Sequence, residues 1–205
     1  MKQFLIILSV LVFSTAYAQE HKAEFKIINS SYSKDVNDQI EFANITQDGT
    51  QYYLTEGKIA FDNDGNCLQS ITKKEEVKES KIAALVSKQK SDLGLSQEGI
   101  TPVFYIQFQG ADAVGRSQDI ATKIDNLFMS KGFGQTYGLS EGDGVSNVEF
   151  ETTQKEQALT SIMNILQAEK LLQHCIIGQR VYLDGDDYNY HIFYPIGFEG
   201  VVNPY

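Results

Sequence analysis

The sequence predicts an α+β chain, and three observations predict it. Thr101–Gly110 (TPVFYIQFQG) alternates as a strand with one well-buried face: Phe104, Ile106 and Phe108 point one way, Val103, Tyr105, Gln107 and Gln109 the other. Beyond it the apolar period switches to 3.6 and back twice, which orders the elements as strand, helix, hairpin, helix, strand. Before it, Asp64-Gly65 separates two strand-like runs, and that dipeptide accepts the positive φ values of a type I′ hairpin turn. The order within residues 101–183 is that of a ferredoxin-like βαββαβ unit, extended by a terminal hairpin and preceded by a smaller β-hairpin-plus-helix region.

Taken in order, Ala23–Ser30 and Gln39–Ile45 are expected as short strands around the polar turn Ser33–Asp38. Gln51–Phe61 and Cys67–Thr72 form the arms of the hairpin. Ile82, Leu85 and Val86 then recur at helical spacing behind a charged run, which predicts a helix from Glu76 to Lys90. Over Tyr53–Lys90, a hairpin followed by a helix resembles the small PepSY-like modules of exported bacterial proteins. Asp92–Gly99, with two glycines, is the best linker candidate, so the expected divisions are 19–92, a linker at 93–100, and 101–205.

In the second half, Ile120, Ile124, Leu127 and Phe128 make one face of a helix over Ser117–Lys131, with Ser117 as N-cap and Gly132 at C′. Phe133–Leu139 and Val145–Glu151 are expected as strands around a loop at Ser140–Gly144. Thr153 and Glu156 have the spacing of a capping box. It opens a helix with the stripe Leu159, Ile162, Met163 and Leu166, ending near Leu172. Ile176–Leu183 and Tyr188–Tyr194 close the chain as a hairpin around Asp184–Asp187.

Compartment and charge narrow the function classes. Met1–Ala18 has Lys2, an apolar run at Phe4–Phe13 and an Ala16-Tyr17-Ala18 cleavage site, the three regions of a secretory signal peptide. The mature chain is therefore expected from about Gln19, in the periplasm or secreted, with no membrane span. Against 27 Asp and Glu stand 17 Lys and Arg, a formal charge of −10. Such a chain repels phosphate backbones and suits a basic protein partner, so nucleic acid is excluded as a natural ligand. Cys67 and Cys175 are an even count in an oxidising compartment, where a bridge closing a loop of ~100 residues contributes about 4.7 kcal/mol in the chain-entropy model.

Candidate chemistry is thin. Gly138-Leu139-Ser140-Glu141-Gly142 matches the G-x-S-x-G nucleophile elbow, and an acid (Asp184 or Asp187) and His191 follow in hydrolase order. The elbow must run into a helix, however, and here a strand pattern follows. His174 beside Cys175 offers a Cys/His pair only if the backbone is irregular, because adjacent strand residues face opposite ways. Asp62–Asn66 and Asp184–Asp187 carry oxygen ligands but lack EF-hand spacing and sit where hairpins must turn, so no metal and no cofactor are expected.

Tyr182, Tyr188, Tyr190 and Tyr194 crowd the last hairpin, and tyrosine is enriched at interfaces. The expectation is an open tyrosine row on an exported, non-catalytic binding module, of inhibitor or immunity type, for a basic partner. The alternatives are a serine hydrolase using Ser140, Asp187 and His191, and a structural or envelope-assembly protein.

Overall fold

A computed structural model describes residues 24–34, 37, 39–62, 65–183 and 187–202, and the expected signal segment lies outside them. The described residues begin with the antiparallel strands β1 (Phe25–Lys34), β2 (Ile40–Asp48), β3 (Gln51–Phe61) and β4 (Cys67–Val77). A 3-10 turn at Glu79–Lys81 leads to α1 (Ile82–Asp92). Then follow β5 (Val103–Gln109), α2 (Ala111–Lys131), β6 (Gly134–Gly142), β7 (Val145–Thr152) and α3 (Lys155–Ala168). After a second 3-10 turn come β8 (Cys175–Tyr182), β9 (Tyr188–Tyr194) and β10 (Gly200–Val202). The class is α+β: the described residues form two antiparallel five-stranded sheets, ordered β1-β2-β3-β4-β10 and β6-β7-β5-β8-β9, with three α-helices. No helix among the described residues is long and apolar enough to cross a membrane.

Several boundaries move, each for a physical reason. The helix expected from Glu76 begins at Ile82, because β3 is long enough to hold Lys73–Val77 in the ladder, with Glu56 opposite Lys73 and Tyr52 opposite Val77. Pairing there outweighs the local spacing of charges. α2 begins at Ala111, directly after Gly110 at φ +85, so Ser117 is not an N-cap. Ser117 lies inside the helix and donates to the Val114 carbonyl at 2.8 Å. The first two turns carry Ala111, Ala113 and Gly115, too small to register as an apolar stripe. The loop expected at Ser140–Gly144 contracts to the turn Asp143-Gly144, both at positive φ, and Ser140 is a strand residue. The capping box does not form, since Thr153 turns its hydroxyl toward the Phe133 carbonyl and α3 starts at Lys155 without a side-chain cap. That helix ends at Ala168, where Lys170 takes a positive φ, short of the expected Leu172.

The second sheet is covered by helices on one face and by the first sheet over the β8–β9 side of the other. Phe104, Ile106, Phe108, Val148, Phe150 and Ile177 pack under Ile120, Ile124 and Phe128 of α2 and Leu159, Ile162 and Leu166 of α3. On the opposite face, Tyr105, Ile176, Tyr190 and Ile192 meet Ile40, Ile59, Cys67 and Val202 of the first sheet. β5 is consequently buried from Val103 to Phe108 rather than on one face. The first sheet is held at the edge strand β9. Gln69 of β4 accepts from the Ile192 amide at 2.8 Å and donates to its carbonyl at 2.9 Å, and the Cys67 thiol donates to the Tyr190 carbonyl at 3.2 Å. β10 then returns to β4, with Val202 opposite Cys67.

The expected Cys67–Cys175 bridge is not made. Both are free buried thiols, Cys67 in the core between the sheets and Cys175 in the core beneath the helices, with the second sheet between them. Burial pushes each thiol up to about 12, which keeps both in the unreactive form.

Two glycines test this packing in opposite directions. A Cβ on Gly178 would lie 2.4 Å from the His191 carbonyl oxygen and 2.6 Å from an Ile192 methyl. Gly178→Ala should therefore cost about 1–3 kcal/mol in urea denaturation. Gly115 is exposed in α2 with nothing within 4 Å of where a Cβ would lie, so Gly115→Ala should stabilise by up to ~1 kcal/mol.

Candidate functional site

On the face of the second sheet away from the helices, the outward positions of β5, β6 and β7 are polar. Tyr105 donates its hydroxyl to Asn147 Oδ1 at 2.7 Å, and Gln107 Nε2 reaches both Tyr105 Oη at 2.7 Å and Asn147 Oδ1 at 2.9 Å. Asn147 Nδ2 donates to Ser140 Oγ at 3.3 Å. Beside this amide row, Glu149 accepts from Tyr190 Oη and from Arg180 Nε, both at 2.8 Å, and Arg180 Nη2 closes a bidentate pair with the second carboxylate oxygen. The Arg180 guanidinium lies 4.0 Å from the Tyr188 ring centre and 4.7 Å from that of Tyr137. Fork geometry and ring stacking both favour arginine over lysine at such a position.

Above these groups lies a cleft of about 410 Å³, with Tyr105, Asn147, Glu149 and Tyr190 in its walls and Ser140, Asp187 and Tyr188 nearer the opening. Phe61, at the end of β3, is 55% exposed at its rim, and Leu139 is 45% exposed. The cleft exists because the first sheet lies over the β8–β9 side of this face and leaves the β6–β7 side uncovered. Burial first, and then the adjoining Glu149 carboxylate, raise the Tyr190 phenol far above its ordinary value; burial does the same for Tyr105. Both hydroxyls are fixed as neutral donors.

The hydrolase constellation is not assembled. Ser140 and Asp187 line the cleft, but His191 is 1% exposed and points to the other side of the sheet, among Tyr32, Phe42 and Phe193. β6 and β9 are opposite edges of the sheet, so Ser140 and His191 are about 19 Å apart on strand spacing alone. His191 is instead part of a buried polar chain. Gln179 Nε2 lies 2.8 Å from Tyr32 Oη, and Tyr32 Oη shares a hydrogen bond with His191 Nδ1, also at 2.8 Å. Burial first, and then nearby Lys155, bring His191 down to about 3.

The open tyrosine row is also corrected. Tyr190 is 5% exposed, its ring tilted against that of Tyr105 with centres 4.4 Å apart. Tyr182 and Tyr188 are half-buried against each other, ring centres 5.7 Å apart. Tyr194 leaves the row: the register shift that pairs Ile177 with Tyr194 and Gly178 with Ile192 skips Phe193, and Tyr194 turns to Phe25, 5.8 Å away. Only Tyr188 remains at the cleft opening. Sequence reading missed Tyr105, Asn147, Glu149 and Arg180. The available signal was the second row of two adjacent strands, Tyr105, Gln107 and Gln109 beside Asn147 and Glu149, polar where a solvent face or a site must be. Among the described residues no three His, Cys, Asp or Glu converge as a metal site. Asp62 accepts from the Asn66 amide at 2.9 Å, which is turn chemistry, and Asp184–Asp186 lie outside the described residues.

Two measurements follow from this geometry. Glu149→Ala would leave Arg180, whose side chain is 8% exposed, without its partner, and should cost about 3–5 kcal/mol by chemical denaturation. His191 titrates near 6.5 when unfolded and about 3 when folded, so its contribution is complete above pH 6.5 and is lost as pH falls toward 3, at up to about 1.4 kcal/mol per pH unit. Urea denaturation between pH 7 and pH 4 should show that slope, and His191→Gln should flatten it. No protein-family model, curated protein or solved structure matches the chain.

Proposed function

We propose that the chain is an exported, non-catalytic binding module and that its ligand seat is the cleft between Phe61 and β6. The observation that carries this is the composition of the cleft: an exposed aromatic rim, with fixed phenol and amide groups in the walls. The partner is a basic protein that inserts a guanidinium or ammonium group, in the manner of an inhibitor or immunity protein. Arg180 on Tyr188 and Glu149 shows that cations suit these walls, and Asp187 at the opening adds a carboxylate toward solvent. The overall charge of −10 favours encounter with such a partner. Met1–Ala18 supports export to the periplasm or beyond the cell.

The same proposal places the β5–β8 stretch in the ferredoxin-like class. In its favour are the order β6-β7-β5-β8, antiparallel at every pairing, and both long helices on one face, with β9 as an added edge strand. Neither alternative, a serine hydrolase or an envelope-assembly protein, has a comparable observation behind it.

Calorimetric titration with an arginine-rich peptide tests the seat. Asp187→Asn and Phe61→Ala should each weaken binding by about 1–2 kcal/mol while leaving the melting temperature within a degree or two. Equal affinity of both variants, or equal binding of an acidic peptide, would refute the assignment.

A further inference from the structure

A second cavity, of about 280 Å³, lies between β1 and the first turn of α3, and it is independent of the cleft. Phe25, Ile27 and Leu159 give it an apolar body, and Asn29, Ser30 and Lys155 supply polar groups. Lys155 is the anomaly. It is the first residue of α3 and half-buried, and among the described residues it makes no ion pair with a carboxylate. Desolvation alone brings its amine down to about 8. The positive end of the helix acts in the same direction.

The surrounding charges do not offset this. Lys26 of β1 is a like charge on the cavity wall, and Glu156 of α3 is exposed and outside ion-pair distance of Lys155. Behind the wall, His191 of β9 is neutral, and burial holds the Tyr32 phenol of β1 neutral as well. Asn29 commits its Nδ2 to Ser31 Oγ at 2.9 Å and Gln89 Oε1 at 2.7 Å, and Ser30 donates to Asn44 Oδ1 at 2.8 Å. A desolvated amine facing an apolar chamber of ligand size is the arrangement that activates lysine as a nucleophile.

We propose that Lys155 is an imine-forming nucleophile and that the cavity takes a small aldehyde or ketone with an apolar body. The Nζ lone pair attacks the carbonyl carbon, the C=O π pair moves to oxygen, and a proton passes from nitrogen to that oxygen. The nitrogen lone pair then closes the C=N bond as the C–O bond breaks, and the departing hydroxyl takes up the remaining N–H proton and leaves as water. One carbonyl and one amine become one imine and one water, without oxidant or reductant, and hydrolysis reverses the step. Phe25, Ile27 and Leu159 would enclose the carbon body and slow that hydrolysis by limiting water.

The test is reductive trapping on the intact mature protein. Butanal and sodium cyanoborohydride are added at pH 7, the reaction is stopped early, and adducts are mapped by mass spectrometry of the digest. At that pH the neutral amine fraction of Lys155 exceeds that of an ordinary lysine by roughly two orders of magnitude. Lys155 should therefore be alkylated at least about tenfold faster than the exposed Lys88 and Lys131, with a rate that saturates as butanal increases. Lys155→Arg should abolish the fast, saturable phase. Labelling at Lys155 no faster than at Lys88 would overturn the proposal. So would fast labelling that stays linear in butanal, because that describes an activated amine without a binding site. The wild-type mapping decides the matter even if Lys155→Arg fails to fold.

Discussion

The Gln69 carboxamide is the contact on which the rest of the arrangement depends. β9 is an edge strand, and its outward-facing amide and carbonyl at Ile192 would be buried under the first sheet without partners. One side chain satisfies both, so Gln69 acts as a single residue of an additional strand. Two buried backbone groups left unpaired would cost roughly 1–3 kcal/mol each. The contact also fixes register: with Gln69 opposite Ile192, Cys67 meets the Tyr190 carbonyl and Val202 closes the same core.

Both cavities follow from that docking. The first sheet is anchored along β9, so it covers the β8–β9 side of the second sheet and leaves the polar row over β6 and β7 open beneath Phe61. At its other edge, β1 reaches past β9 to α3, where Phe25 stacks on Phe193 at 6.1 Å, and the chamber at Lys155 lies in that contact. The buried Glu149–Arg180 pair is weak evidence for stability, because desolvation offsets much of its Coulombic attraction. Its more evident consequence is placement: it holds the Tyr190 hydroxyl and sets a guanidinium under the Tyr188 ring at the opening of the cleft.

What could be read from the sequence was what local periodicity encodes. The period-2 run at Val103–Gln109, the stripes Ile120-Ile124-Phe128 and Leu159-Ile162-Leu166, and Gly132 as a left-handed C-cap are all present as expected. The α+β class rests on these alone. What could not be read depends on contacts between distant segments. Burial of the Tyr105 row requires the first sheet to lie on it, and that sheet is built from β1–β4 and β10, which no local cue at Tyr105 announces. Tyr190 looked like an interface tyrosine because nothing near it reveals Glu149, its hydrogen-bond partner on β7. The turn of Tyr194 out of its row comes from a register shift that alternation cannot foresee. Lys155 had no motif at all, since its environment is assembled from β1, α3 and β9.

The most direct test is native-state hydrogen exchange on Gln69→Leu, which keeps side-chain volume and removes both bonds to Ile192. The account predicts that the Ile192 amide loses protection. It also predicts that both sheets unfold together at lower urea, in one transition. Unchanged protection at Ile192, or a second sheet that melts as in the wild type while only β1–β4 loosen, would contradict it.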